Sequence, residues 1–342
     1  MHLSAGRSAS LLHSKGSHGT PRPGGGLDLN LVEAAYLVES GRLRVSERGE
    51  PISLPSLLAR GGAADERFET KYLVYREFRE RGFVIRAEPA SARIDFSVRA
   101  RGSTAKAPSS TWVLAVSERG AFSAADSLSY ARRASGLGKQ AFLAVADEEG
   151  DVTFYALSVG LDKVGAKGGK AADVHGTLAG DRVIVEGEAA KALGASEEML
   201  GKPFKEMLRL SLVEAAFLVG DHRLSLERPG GGAVTQNELL RIGLAHHRDF
   251  ALRVAAYRDL RHRGLLPKTG FKYGSDFRVY DRAAGAPHAR YLVHAVPSSF
   301  ACPWAELARA VRLAHGVRKR LVLALVAQDE SVEYLHVSWA RP

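Results

Sequence analysis

LVEAAYLV at Leu31–Val38 returns almost unchanged as LVEAAFLV at Leu212–Val219. Outward from that pair, YREFRERGF (Tyr75–Phe83) is answered by YRDLRHRGL (Tyr257–Leu265), and Asp95-Phe96 by Asp276-Phe277. The offsets are 181, 182 and 181 residues, so a unit of about 180 residues occurs twice. Each copy reads alike. A helix opens at Asn30 or Ser211 with a glutamate three residues on, Glu33 or Glu214; Ser211-x-x-Glu214 is a capping box, a signature that Thr235 and Glu238 repeat. A helical stretch then ends at Arg81-Gly82 or Arg263-Gly264, where glycine can take a left-handed cap. Strand-like segments, a helix and a strongly apolar strand follow, FLAVA (Phe142–Ala146) or LVLALV (Leu321–Val326).

The fold class expected is therefore α/β (α+β), a tandem duplication in which each repeat joins a small helix-rich N-terminal subdomain to a mixed-sheet, nuclease-like C-terminal one. Residues 1–26, rich in Gly, Ser, His and Arg, read as a disordered arm without the apolar core of a signal peptide. Residues 27–160 form the first repeat, 161–173 a linker centred on the Gly- and Lys-rich Asp162–Asp173, and 174–342 the second, divided into 174–250 and 251–342. The strand-like DRVIVEG (Asp181–Gly187) has no clear counterpart in the first copy and reads as lost or eroded there.

The chain has 342 residues, 45% of them hydrophobic, enough for two cores. Its formal net charge is +10, and from Ala251 onward there are 15 Lys+Arg against 7 Asp+Glu, so a polyanion is drawn to that end. Cys302 is the single cysteine, which excludes an internal disulfide and a cysteine-based zinc site. No run of about 18 apolar residues suggests a membrane span, and a cytoplasmic protein is expected.

KTGFKYGSDFRVY (Lys268–Tyr280) ends in an alternating strand that puts Phe277 and Val279 on one face and Asp276, Arg278 and Tyr280 on the other. A loop with Gly285 and Pro287 leads past His288 into RYLVHAV (Arg290–Val296); a hairpin here would bring Tyr280 and His288 to the two sides of its loop. WAELARAVRLAHG (Trp304–Gly316) carries Leu307, Val311 and Ala314 at helical spacing, with Arg309 and Arg312 opposite and Gly316 as the expected cap. The chain re-enters the sheet at Lys319, at the mouth of a buried strand. Singly, a strand-end tyrosine, a turn histidine and a lysine in VRKR read as packing, structure and solvated charge.

Together these motifs resemble the archaeal tRNA-splicing endonuclease family over nearly the whole chain beyond residue 27. KTGFKYGSDFRVY, HARYLVHAV and ARAVRLAHGVRKRLVLALV look like its catalytic region, and LRLSLVEAAFL with GDRVIVEG like its N-terminal region. The resemblance implies a tRNA-intron lyase that cuts precursor tRNA at bulge–helix–bulge junctions. It makes Tyr280, His288 and Lys319 the catalytic residues and Arg312 one of two arginines that sandwich a flipped bulge base. No cofactor or metal is implied. The residue types suit cleavage by the RNA's own 2′-hydroxyl: Tyr280 as base, aided by nearby positive charge because a phenol ordinarily titrates near pH ~10; His288 as acid for the departing 5′-oxygen; Lys319 beside the crowded phosphate. The products would be a 2′,3′-cyclic phosphate and a 5′-hydroxyl. Unpaired bulge bases can be splayed out and stacked on a guanidinium plane, whereas an intact A-form helix hides its base edges.

In the first copy Arg99 stands where Tyr280 stands and Pro108 where His288 stands, while Lys139 and Arg132 match Lys319 and Arg312. That copy is expected to be silent, a degenerate non-catalytic repeat. Its DEEGD, with Asp147, Glu148, Glu149 and Asp151, reads locally as a solvated acidic turn; the resemblance implies a loop that enters a basic groove of a partner, hence a homodimer with two active sites. A non-catalytic RNA-binding subunit would share the charge but does not require Tyr280, His288 and Lys319 together. A metal-dependent nuclease of restriction type needs an acid followed by Glu-x-Lys on the neighbouring strand, which the stretch after Asp276 lacks.

Overall fold

The computed structural model describes residues 1–103, 107–161, 174–281 and 288–342. These form two compact units: Met1–Val159 with Ala301–Arg309 and Val337–Pro342, and Gly160–Phe300 with Ala310–His336. The expected linker Asp162–Asp173 and the hairpin-loop residues 282–287 lie outside the described residues. Leu161, counted with the linker, is instead buried in the core of the second unit.

The first unit begins with β1 (His2–Leu3), α1 (Arg7–Ser14), β2 (Thr20–Pro21) and β3 (Leu27–Asp28), paired in the order β1-β3-β2. This corrects the disordered arm. Ala9 and Leu27 sit in the core, and His18, fully buried, meets Tyr75 and Arg79. A segment with so few apolar residues is ordered because it covers the aromatic face of the helices that follow. Those helices are α2 (Leu31–Glu39), then, after the short hairpin β4 (Val45–Glu47) and β5 (Glu50–Ile52), α3 (Leu54–Ala64) and α4 (Phe68–Glu80). The Asn30 side chain accepts from Glu33 N while the Glu33 carboxylate accepts from Asn30 N, a full capping box. Gly61 lets α3 approach Phe68, whose ring lies 2.3 Å from where a β-carbon would stand. The catalytic-type half then runs β6 (Val84–Ala87), β7 (Phe96–Arg99), β8 (Thr111–Ser117), β9 (Ala121–Ser123), α5 (Ala124–Gly136), β10 (Gln140–Ala146) and β11 (Val152–Val159), with sheet order β11-β10-β8-β7-β6. β8 and β10 are parallel, so both faces of β10 are covered and six of its seven residues are buried.

The second unit has β12 (Val174–Ala179), β13 (Arg182–Glu186), α6 (Gly187–Gly194), β14 (Lys202–Phe204), β15 (Met207–Ser211), α7 (Leu212–Gly220) and β16 (Leu224–Glu227), giving a sheet β14-β15-β13-β12-β16. Next come α8 (Gln236–His246), α9 (Phe250–His262), β17 (Leu266–Thr269), a 3₁₀ turn at Phe271–Tyr273, β18 (Phe277–Tyr280), β19 (Tyr291–Pro297), β20 (Ala301–Pro303), α10 (Trp304–Gly316), β21 (Arg320–Val326) and β22 (Val332–Ala340). Its catalytic-type sheet has the order β17-β18-β19-β21-β22. β20 pairs with β9 and belongs with the first unit, where Trp304 packs against Phe122 and Tyr155. The division of the chain is therefore not the single break near residue 160 that the sequence suggested.

Matching contacts decide between the two readings of the DRVIVEG segment in the first copy: it is eroded there, not lost. Gly19 N donates to the Glu33 carboxylate at 3.1 Å, as Gly201 N does to Glu214 at 3.0 Å. Arg79 donates to the Gly16 carbonyl, as Arg261 does to that of Glu198. β1-α1-β2-β3 thus mirrors β13-α6-β14-β15, its strands cut to two residues each. The helix ends agree with the sequence at Gly82 and Gly264, both at φ +81°. They differ at α10: Gly316 is its last helical residue and the left-handed position falls on Arg318, φ +55°.

Candidate active site

Three neighbouring strands carry the expected residues to one end of the second unit's sheet. β18 pairs antiparallel with β19 through Phe277↔Val293, Arg278↔Leu292 and Val279↔Tyr291, and Arg290 N donates to the Val279 carbonyl at 2.9 Å. β19 and β21 are parallel, with Tyr291 opposite Arg320. Tyr280, last on β18, His288, just before β19, and Lys319, just before β21, therefore lie at the same sheet end. Alternation on β18 buries Phe277 and Val279 and leaves Arg278 and Tyr280 half-exposed. His288 is exposed.

Lys319 is fixed by the end of α10: its N donates to the Ala314 carbonyl, and its ammonium lies 5.4 Å from the centroid of the Tyr273 ring. Arg278 holds its guanidinium 5.7 Å from the Tyr280 ring, placing a cation against the tyrosine. Neither Tyr273 nor Arg278 was singled out from the sequence. The signal was present in the same KTGFKYGSDFRVY stretch, since the first copy has Ala92 and Ser97 at the matching positions. Arg312 is exposed on α10, seven residues before Lys319.

Asp276 has a structural task. Its carboxylate accepts from Ala295 N at 2.9 Å and faces Arg253 at 3.1 Å; Asp95 likewise accepts from Ala115 N at 2.8 Å and pairs with Arg67 and Lys71. The N-terminal and catalytic-type parts of the second unit are tied by Lys268, whose ammonium donates to Glu214 at 2.8 Å and to the carbonyls of Met199 and Gly201. Burial pushes the Glu214 carboxyl upward, but Lys268 and Ser211 outweigh it and hold it below its usual range.

The first unit repeats the frame with other groups. β7 and β8 pair as Phe96↔Val113 and Val98↔Thr111, and Thr111 stands opposite Gln140. Counting back from Ser110, whose N donates to the Val98 carbonyl, places Pro108 where His288 stands. Arg99 donates to the Ala107 carbonyl at 2.6 Å, and Lys139 donates to that of Ser109. Both cations are spent on the loop backbone. DEEGD makes the turn between β10 and β11: Asp147 Oδ1 accepts from the N atoms of Glu149 (3.0 Å) and Asp151 (2.9 Å), leaving Glu148, Glu149 and Asp151 exposed.

The geometry defines a duplicated α/β protein in which one repeat alone assembles a tyrosine, a histidine and a lysine. Comparison with known families gives its class. The catalytic C-terminal domain of tRNA intron endonucleases matches residues 68–154 and 250–334, and the N-terminal domain matches 2–58 and 174–240. The chain is 33% identical to the tRNA-splicing endonuclease of Methanococcoides burtonii over 332 residues, 95% of this chain and 93% of that protein. It is 36% identical to that of Natronomonas pharaonis over 343 residues (95% and 94%). The tRNA-splicing endonuclease of Methanothermobacter thermautotrophicus aligns over 171 residues at 35% identity, 49% of this chain but 99% of that protein, so one repeat matches a whole relative. The chain belongs to the tRNA intron endonuclease family, with both of the family's domains present twice. It is a tRNA-splicing endonuclease. No helix among the described residues is long and apolar enough to cross a membrane.

Proposed function

We propose that the second repeat cuts precursor tRNA at bulge–helix–bulge intron junctions by attack of the RNA's own 2′-hydroxyl, with no metal taking part. Tyr280 accepts the 2′-hydroxyl proton, His288 protonates the leaving 5′-oxygen, and Lys319 stabilises the charge that gathers on the phosphate. The products are a 2′,3′-cyclic phosphate and a 5′-hydroxyl. The observation that carries the reading is the common sheet end of Tyr280, His288 and Lys319, set against Arg99, Pro108 and Lys139 in the same frame. Of these three the lysine survives in both copies, while the two proton-transfer groups do not. Arg312 stacks on a splayed bulge base. Two chains assemble as a homodimer, in which the exposed Glu148, Glu149 and Asp151 of the silent repeat, shaped by Asp147, dock against basic surface of the partner. The functional division follows the sequence repeats, not the compact units: a silent N-terminal repeat and a catalytic C-terminal one.

The test is single-turnover cleavage of an intron-containing precursor tRNA in excess EDTA. Wild type should yield cyclic-phosphate ends, and His288→Ala and Tyr280→Phe should each slow the step by roughly 10²–10⁴-fold. Full activity in His288→Ala, or loss of wild-type activity in EDTA, removes the mechanism. A monomeric mass by light scattering at micromolar concentration removes the homodimer.

A further inference from the structure

Phe271 is 87% exposed, the most exposed large hydrophobic side chain among the described residues, and it stands on a turn built to keep it there. Tyr273 N donates to the Gly270 carbonyl at 2.7 Å and Gly274 N to that of Phe271 at 3.1 Å. Gly270 tolerates no side chain, since a β-carbon there would lie 2.3 Å from the Oγ of buried Ser275, and Gly274 takes φ +60°. The turn is fixed, and among the described residues its outward ring makes no aromatic pair.

The silent repeat supplies the control. Pro89-Ala90-Ser91-Ala92-Arg93 forms the same 3₁₀ turn, with Ala92 N donating to the Pro89 carbonyl at 2.9 Å, Arg93 N to that of Ala90 at 3.1 Å, and Arg93 left-handed at φ +53°. Alanine, serine and alanine stand where the active repeat has Phe271, Lys272 and Tyr273. The backbone therefore requires none of the three side chains, and they accompany the catalytic groups. The turn joins β17 to β18 at the Phe277 end, while Leu266 pairs with Tyr280 at the other. The Tyr273 ring nevertheless reaches to 5.4 Å from the Lys319 ammonium, so the turn's side chains extend toward the reacting end of the sheet.

Phe271 and Lys272 also line a groove of about 1110 Å³ within the second unit, together with Arg182, Lys202, Arg209 and Arg278. Lys202 and Lys272 make no ion pair among the described residues, and the Arg209 guanidinium lies 4.9 Å from the ring centroid of half-exposed Phe204. Cations interleaved with exposed rings suit a nucleic-acid strand: the charges follow phosphates, and a ring offers every base a stacking face. A protein partner would have to bury these unpaired ammonium groups along with the rings, whereas a polyanion neutralises them directly.

We propose that Phe271 is a stacking platform for an unpaired nucleotide flanking the cleaved bond, with Lys272 on a neighbouring phosphate and the basic groove guiding the strand away. The inference rests on the RNA-cleaving reading above and adds a recognition site separate from Arg312. The test uses full-length protein and precursor tRNA carrying 2′-deoxy substitutions at the cleavage positions, titrated across salt concentrations. Phe271→Ala should weaken binding by about five- to 100-fold, whereas Phe271→Trp should bind as wild type and Phe271→Leu should lose as much as alanine. Lys272→Ala should lower the slope of log Kd against log salt by about 0.7–1. Wild-type affinity in Phe271→Ala, or full affinity in Phe271→Leu, overturns the platform while leaving the endonuclease reading intact. An effect of Phe271→Ala on self-association with none on RNA affinity overturns it too, assigning the ring to a second copy. Failure of wild type to cleave the unmodified precursor tRNA overturns the function itself.

Discussion

Acidification should loosen the first thirty residues before anything else, through His18. The imidazole is fully buried between α2 and α4: Nε2 accepts from Arg79 at 2.5 Å, Nδ1 meets the Tyr75 hydroxyl at 3.2 Å, and the ring lies 6.0 Å from that of Tyr36. Because Arg79 can only donate, the proton of neutral His18 sits on Nδ1. Burial, reinforced by the charges of Arg79 and Arg42, pulls its pKa from 6.5 to about 3. A depressed folded pKa means that the unfolded state takes up the proton first. Above about pH 6.5 the site adds no pH dependence; below it stability falls by about 1.4 kcal/mol per pH unit, so pH 5 costs about 2 kcal/mol and the full loss, about 5 kcal/mol, is reached near pH 3. Hydrogen exchange of amides in residues 1–30 at pH 7 and pH 5, corrected for intrinsic rates, reads this loss directly. His18→Gln, which can still accept from Arg79 and donate to Tyr75, should remove most of it. Equal pH dependence in the two proteins, or unprotected amides at pH 7, would refute the account and return the segment to a disordered arm.

Other perturbations test the frame around the site. Lys319→Ala should lower the single-turnover cleavage rate by roughly 10²-fold or more, whereas Lys139→Ala, in the silent repeat, should cleave at the wild-type rate. Gly243→Ala would set a β-carbon 2.2 Å from the Phe250 ring, so α8 must shift and denaturant melting should report a loss of about 1–3 kcal/mol. Lys268→Ala strands the buried Glu214 carboxylate and should cost about 3–5 kcal/mol by the same measurement, while Lys268→Met with Glu214→Gln should recover much of it.

What the sequence disclosed, and what it hid, follows from how strongly each element constrains side chains. The duplication was legible because α2 and α7 are buried on nearly every side, leaving LVEAAYLV and LVEAAFLV little room to diverge. Tyr280 and His288 were legible as the two sides of one hairpin loop, but the common sheet end they share with Lys319 was not. Their meeting depends on β19 pairing antiparallel with β18 and parallel with β21, over 39 residues of chain from Tyr280 to Lys319. β1, β2 and β3 were illegible because two-residue strands have no alternation to read. The repeat comparison could have found them: Gly19-x-Pro21 answers Gly201-x-Pro203, and Leu27-x-Leu29 answers Leu208-x-Leu210.

The same comparison separates what the fold needs from what the reaction needs. Groups present in both repeats with matching partners (the Asn30 and Ser211 caps, Asp95 and Asp276, Gly61 and Gly243) hold the frame, since the first copy keeps them while carrying Arg99 and Pro108 in place of Tyr280 and His288. Groups found in one repeat at the matching strand, turn or loop-end position are free of that duty. Tyr280, His288, Arg278, Tyr273 and Phe271 all fall in the second class, on the active side, and all five lie between Gly270 and Arg290. Lys319 falls between the classes. Its counterpart Lys139 donates to the carbonyl of Ser109, whereas Lys319 donates at 3.4 Å to that of Val317 and faces the Tyr273 ring. Restoring Tyr and His at positions 99 and 108 would therefore leave Lys139 turned to the Ser109 carbonyl, and such a double substitution should not by itself create a further cleavage centre.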